Sequence, residues 1–505
     1  MKRNSGFSLL FLFLFLKENC EMEEKKIRVY HTHIEIYPYE QGESEELERL
    51  LSIWIDAEYR FEPIGYHILD KTLYVPRGIN LMMIEKLFNS TAYMVKTPDK
   101  FKRIRNINVK FTPKDRIQSE SIDFLSSEGK FEKALKYSQQ ALEIDTGDGK
   151  TYATINAIIN LKMRSLIITH QDKIKKQWIK SFLDGTDIDE NRIIDISGSS
   201  VIDKIMDNEV DGDIFFVNHQ TLNSYASKHG WKKIRNFFKK IAVGIKVFDE
   251  AHLEFKNILR MDMFSNTYKT FYITANFGRS DVKELLVFNR AFSSVYKFGE
   301  ETKNYDEKRK HIIYIPCMYR SNPSVTDLQS VNSMYGFSVL RFSDFALHRD
   351  EKNTMLKTLY HVLDIAFKVD GKILVTVPKI DDTNFIKEKI KDEYLDLKKS
   401  IGTINSKNNK DDNKKNQDCD IIISTIKSCG TGVDIKGLRC VINLEPFSSK
   451  ITTNQLSGRL REYAKDKDTY FFDLIDMSFP QCERQYKTKL TFLKKKCKAI
   501  QIMKL

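Results

Sequence analysis

Apolar and polar residues alternate over 27–37 (IRVYHTHIEIY), a period-two pattern that predicts a strand or hairpin with one buried face. An acidic-fronted helix is predicted over 43–54, and further strands or short elements over 66–75 and 91–96. His31 and His33 share a side of the first strand and have no third ligand nearby in the sequence, so they are read as packing residues. From about residue 111 the pattern changes. Short, β-branched apolar runs at 165–169, 213–218, 246–249 and 270–274 read as strands, and helical periodicity at 152–161, 172–182 and 231–240 fills the spaces between them. A second alternating series follows: helix 355–368, strand 372–377, helix 382–391, then strands 420–424, 440–444 and 469–474. Strands that alternate with helices predict parallel α/β sheets. The Asn/Lys/Asp tract over 405–417 is expected as a mobile surface loop, and the basic stretch 487–505 as an amphipathic helix on the second series.

These shifts of pattern divide the chain into an accessory domain (22–110), a first α/β lobe (111–300), a linker or insert (301–354), a second lobe (355–480) and a basic tail helix (481–505). At 505 residues the chain is too long for one core, which agrees with that division. Residues 1–21 read differently: Lys2 and Arg3 precede an apolar run over 7–16 that is too short to span a bilayer and has no small-residue cleavage site. Translation is therefore expected to start at Met22, with a cytoplasmic product that has no membrane partner. Seven cysteines without CxxC spacing predict reduced thiols and no structural metal. The formal charge of +13 points to a polyanionic partner, nucleic acid being the commonest.

Three segments carry chemistry. Thr146-Gly147-Asp148-Gly149-Lys150-Thr151 follows an apolar run and precedes a helix, the layout in which backbone N–H groups cradle a polyphosphate. Lys150 supplies a point charge toward the β- and γ-phosphates, and the Thr151 hydroxyl can hold Mg²⁺. Val247-Phe248-Asp249-Glu250-Ala251-His252 ends a strand in two acids, at the edge where open α/β sheets bind ligands. Asp249 can hold Mg²⁺ directly or through water, and Glu250 can orient and deprotonate an attacking water. In the second series, Gln455-Leu-Ser-Gly458-Arg459-Leu-Arg461-Glu462 offers arginines able to stabilise charge on a transferring phosphoryl group. The glycine- and hydroxyl-rich loop 424–434 just upstream can approach a nucleic-acid backbone and a nucleotide.

In this order the motifs resemble those of superfamily 2 helicases of the DEAD/DEAH type, most of all phage UvsW-like recombination helicases. The resemblance covers roughly 111–476. It implies two tandem RecA-like lobes with parallel sheets, to which residues 22–110 add a small N-terminal α+β domain outside the resemblance, and an ATP- and Mg²⁺-dependent motor on nucleic acid, with DNA favoured over RNA; a monomer is expected, with replication or recombination proteins as further partners. Gln118 resembles the adenine-reading glutamine, Thr146–Thr151 motif I, 166–169 with Gln177-Trp178 motif Ia, and Asp249–His252 motif II. Thr274-Ala275-Asn276 is similar to motif III, 372–379 to motif IV, Gly430–Asp434 (with Gly432 and Asp434 toward the nucleotide) to motif V, and Gln455–Arg461 to motif VI. Glu462 stands where the family's last motif VI arginine falls, so the finger role goes to Arg459 first, with Arg461 as the alternative. The implied activity is ATP-driven unwinding or translocation on branched or single-stranded DNA in phage replication, recombination or repair; a non-unwinding translocase and an RNA helicase remain as alternatives.

Overall fold

The computed structural model describes residues 24–56, 58–144, 148–275, 277–279, 281–298, 310–333, 336–430, 435–460 and 467–505. The leader 1–21 lies outside them. Among the described residues, the first of two compact units takes those within 1–142, 151–273 and 277–297, and the second takes those within 143–150, 274–276 and 298–505.

The first unit begins with a small sheet. The alternating run at 27–37 is a hairpin of β1 (Lys26–Val29) and β2 (His33–Tyr37), paired antiparallel, its turn closed by the Tyr30 N–H on the His33 carbonyl at 2.8 Å. The helix expected over 43–54 covers only Glu45–Leu50, capped by Ser44. Ile53, Trp54 and Ile55 favour extended backbone, and the chain forms β3 (Ser52–Ile55) against β4 (Arg60–Pro63). With β5 (His67–Leu69), β6 (Thr72–Pro76) and β7 (Ala92–Met94) the main small sheet runs β5-β6-β2-β1-β7, antiparallel except for β1 beside β7.

The larger sheet of this unit holds β8 (Gln139–Glu143), β9 (Ser165–Thr169), β10 (Ile193–Ile196), β11 (Ile214–Asn218), β12 (Ile245–Asp249), β13 (Lys269–Thr274) and β14 (Tyr296–Phe298), in the order β10-β11-β9-β12-β13-β8-β14. Strands β9 to β13 run parallel. Every residue of β9, β12 and β13 is buried, as expected of strands covered by helices on both faces. The small sheet does not have a core of its own. Ile34, Ile36, Leu73 and Val75 join Phe248, Phe264, Tyr272 and Val287 in one hydrophobic cluster. A methyl group on Gly78 would collide with the carbonyl oxygen of Ala291, so only glycine permits this approach. Arg290 Nη1 closes the contact on the Leu50 carbonyl at 2.9 Å.

The second unit is a parallel sheet of β15 (Ile312–Tyr319), β18 (Lys372–Val377), β19 (Ile401–Ile404), β20 (Ile421–Thr425), β21 (Leu438–Asn443), β22 (Thr469–Asp476), β23 (Ala499–Ile500) and β24 (Met503–Lys504), with the short hairpin β16 (Asn332–Ser333) and β17 (Gly336–Phe337) outside it. Its order is β19-β20-β18-β21-β22-β15-β23, with β24 also on β15. Segment 301–354, expected as linker or insert, thus contributes β15 to this sheet. The tract read as a mobile loop contains a helix, Lys410–Asn416: Asn409 caps it by accepting from the Asp412 N–H at 2.7 Å, and Asn416 donates to the Thr403 carbonyl at 2.8 Å. The basic tail is helical over Pro480–Lys496 and then returns to the sheet as β23 and β24. Lys489 anchors that helix through a buried ion pair with Asp473 at 2.8 Å. The two parallel sheets are RecA-like lobes, and the N-terminal sheet with its helices is a small α+β domain.

Candidate active site

The loop after β8 leads into the helix Lys150–Leu161. Gly149 has φ +85°, where a side chain would be strained. Lys150 donates from Nζ to the Ile144 carbonyl at 3.0 Å, while Asp148 is buried. Thr151 is half-buried on the first turn. Thr146 and Gly147 lie outside the described residues. Gln118 sits on the first turn of the helix Arg116–Ser126, capped by Asp115, and its Oε1 accepts from the Lys114 N–H at 2.8 Å.

Asp249 is the last residue of β12 and is 8% exposed. Its Oδ2 accepts from the indole N–H of Trp178 at 2.8 Å. Glu250, next in the chain, has φ +48°, a left-handed conformation that turns the backbone sharply out of the sheet. Its Oε2 lies 3.4 Å from Nδ1 of the buried His252. The carbonyl of His252 is held in turn by Arg279, which also pairs with Glu284. Two further imidazoles lie close by, His170 half-buried and His219 buried. Burial pushes the His170 imidazole below its ordinary pKa, against the pull of Asp249 and Glu254. His219 stacks on Phe248 with centroids 5.8 Å apart.

In the second unit the helix Lys450–Ser457, capped by Ser449, presents the half-buried Gln455 and ends at Gly458. Arg459 follows on the turn, its N–H on the Leu456 carbonyl at 3.2 Å. Burial pushes the Cys429 thiol up to about 11, and the positive charge of Arg459 opposes that shift, which places the guanidinium near the helix Ile426–Gly430. Asn276, Gly432, Asp434 and Arg461 lie outside the described residues. Sequence reasoning missed Glu445, just past β21, whose carboxyl is pushed up to about 7 by burial, against Lys489 and Lys427. It also missed Arg279 as the anchor of the motif II loop. Neither residue falls in a motif.

Asp249 and Thr151 supply the oxygen donors a hard divalent cation takes, and Asp249, nearly buried at a sheet edge, accepts a hydrogen bond from a neutral donor. The residues therefore fit Mg²⁺. Residues 103–279 match the family described as the res subunit of type III restriction enzymes, and residues 351–462 match the helicase conserved C-terminal domain. Among solved structures, the chain is similar to T4 UvsW, with 16% identity over 95% of this chain and 99% of that one and a TM-score of 0.34. It is also similar to a fragment assigned to the HsdR subunit of a type I restriction enzyme from Vibrio vulnificus YJ016, with 13% identity over 77% of this chain and 68% of that one and a TM-score of 0.49. No curated protein sequence matches the chain. No helix among the described residues is long and apolar enough to cross a membrane.

Proposed function

The chain belongs to the superfamily 2 helicases, nucleic-acid-binding enzymes that hydrolyse ATP, and from that premise we propose that it is a DNA helicase or translocase acting on branched or single-stranded DNA in phage replication, recombination or repair. The observation that carries the proposal is the pair of acids at the end of β12: Asp249 fixed by Trp178, and Glu250 turned out of the sheet beside His252. Lys150 and the backbone of the loop after β8 hold the phosphates of ATP. Thr151 and Asp249 would hold Mg²⁺, which would supply positive charge to offset that of the phosphates. Glu250 orients a water for in-line attack on the γ-phosphorus and takes its proton, and ADP leaves with the β–γ bridging oxygen. Gln118 reads the adenine, and Gln455, Gly432 and Asp434 serve the nucleotide. Arg459, with Arg461 as the alternative, stabilises charge on the transferring group.

The net charge of +13 supports contacts made mainly to phosphates, weakly sequence-selective and salt-dependent. Lys150→Ala and Glu250→Gln are each expected to lower DNA-stimulated ATP hydrolysis by about 10²-fold or more. Near wild-type turnover in either variant would remove the site assignment. The match of 103–279 to a restriction-enzyme subunit favours a second reading, a translocase that hydrolyses ATP on DNA without separating strands. Strand separation on a labelled fork distinguishes the two, and stimulation by RNA in place of DNA would redirect the substrate class.

A further inference from the structure

We infer that Trp178 is a positioning residue for Asp249: its indole N–H fixes the carboxylate in the orientation that receives a divalent cation. The inference rests on the reading of Asp249 as a metal ligand. Trp178 lies on the helix Asp172–Gly185, which packs on β9 and β11, and its ring is 2% exposed. A buried indole N–H needs an acceptor, and a backbone carbonyl or neutral side chain would satisfy it. Its acceptor is instead Oδ2 of Asp249, 71 residues away in sequence, at 2.8 Å.

The choice of donor matters. A lysine or arginine in this place would also fix the carboxylate, but it would cancel the charge that a cation needs. An indole orients the group without bringing a positive charge of its own. A hydrogen bond to a carboxylate is roughly twice as strong as a neutral one, enough to hold a single rotamer. Coordination through one oxygen per carboxylate suits the small octahedral shell of Mg²⁺, and the indole fixes the carboxylate by one oxygen. Groups that orient a ligand from behind typically change metal affinity by about 10- to 100-fold when removed.

The test replaces the N–H and keeps the ring. In the full-length protein, Trp178→Phe is compared with wild type and with Asp249→Asn in two measurements. One is Mn²⁺ affinity in the presence of ADP, read by electron paramagnetic resonance without turnover. The other is the Mg²⁺ concentration that half-saturates DNA-stimulated hydrolysis. For Trp178→Phe both are expected to weaken about 10-fold or more, while kcat at saturating Mg²⁺ falls by less than that factor. If the melting temperature collapses, benzothienylalanine at position 178, which preserves the shape and lacks the N–H, decides in its place. Wild-type Mn²⁺ affinity in the ring-preserving variant, with Asp249→Asn weakened, overturns the role of Trp178 and leaves the metal reading standing. Wild-type affinity in Asp249→Asn overturns the metal reading itself.

Discussion

His219 opens the helix His219–His229 with its ring buried against Phe248 and both ring nitrogens without a hydrogen-bond partner. Burial, with the nearby His170, pushes its pKa down to about 3. In the unfolded chain the imidazole binds a proton near pH 6.5, whereas the folded ring stays neutral far below that. The unfolded state therefore binds more protons between pH 6.5 and 3, and stability present above 6.5 is lost as pH falls through this window. His219→Phe keeps a stacking ring and removes the titration. Its urea midpoint is expected to fall less steeply than wild type between pH 6.5 and 4, and parallel profiles would contradict the burial effect. At this scale the sequence exposes some residues and hides others. Lys150, Asp249 and Glu250 are legible because their chemistry depends on fixed spacing from glycines and strand ends. The Trp178–Asp249 bond is not, since it depends on how a helix is rotated on its sheet. Glu445 is hidden for a related reason, because the burial that raises its pKa, and the Lys489 charge that opposes it, depend on how distant segments pack.

Strand β12 carries, three residues before Asp249, a fully buried lysine. Lys246 Nζ lies 2.6 Å from Asp262 Oδ1 on the helix Phe255–Met263, and Asp262 Oδ2 accepts from the Tyr272 hydroxyl of β13 at 2.6 Å. Gln139 of β8 donates to that hydroxyl at 2.7 Å. Burial pulls both charges toward their neutral forms, Lys246 down and Asp262 up, and their mutual attraction opposes this. Removing one partner strands the other. Lys246→Met is expected to cost about 3–5 kcal/mol in chemical denaturation, and Lys246→Met with Asp262→Leu to recover most of it. Additive losses in the double variant would argue against a coupled pair. The strands themselves were readable as apolar runs, because both faces of a parallel sheet are covered. Polar segments were harder: Lys410–Asn416 is a helix held by an asparagine cap and by bonds to Thr403 of β19 and to Asn405 just after it, and helix periodicity carries no trace of those. The 43–54 helix stopped at Leu50 because residues 60–63 offered Ser52–Ile55 a partner strand.

On the scale of the molecule, sequence pattern separates an N-terminal domain from the first lobe, yet the two bury one common core. The inner face of a small sheet shows only that it is apolar, not what covers it. Beyond that core, Glu35 and Tyr74 bind Arg235 of the helix Trp231–Ile241, at 2.8 and 2.7 Å. A chain lacking residues 22–96 is therefore expected to expose the apolar flank of helices Phe255–Met263 and Val282–Ala291, to bind a hydrophobic dye and to lose its cooperative melt. A soluble, sharply melting truncation would show that the lobe folds alone. The shared core also sets an order of events during synthesis. The small sheet leaves the ribosome complete by Met94, while Phe288 and Phe292, which help close the core, are made roughly 200 residues later. At about 5–20 residues per second that is a wait of roughly 10–40 s, so the first domain made is sealed only when the first lobe is complete.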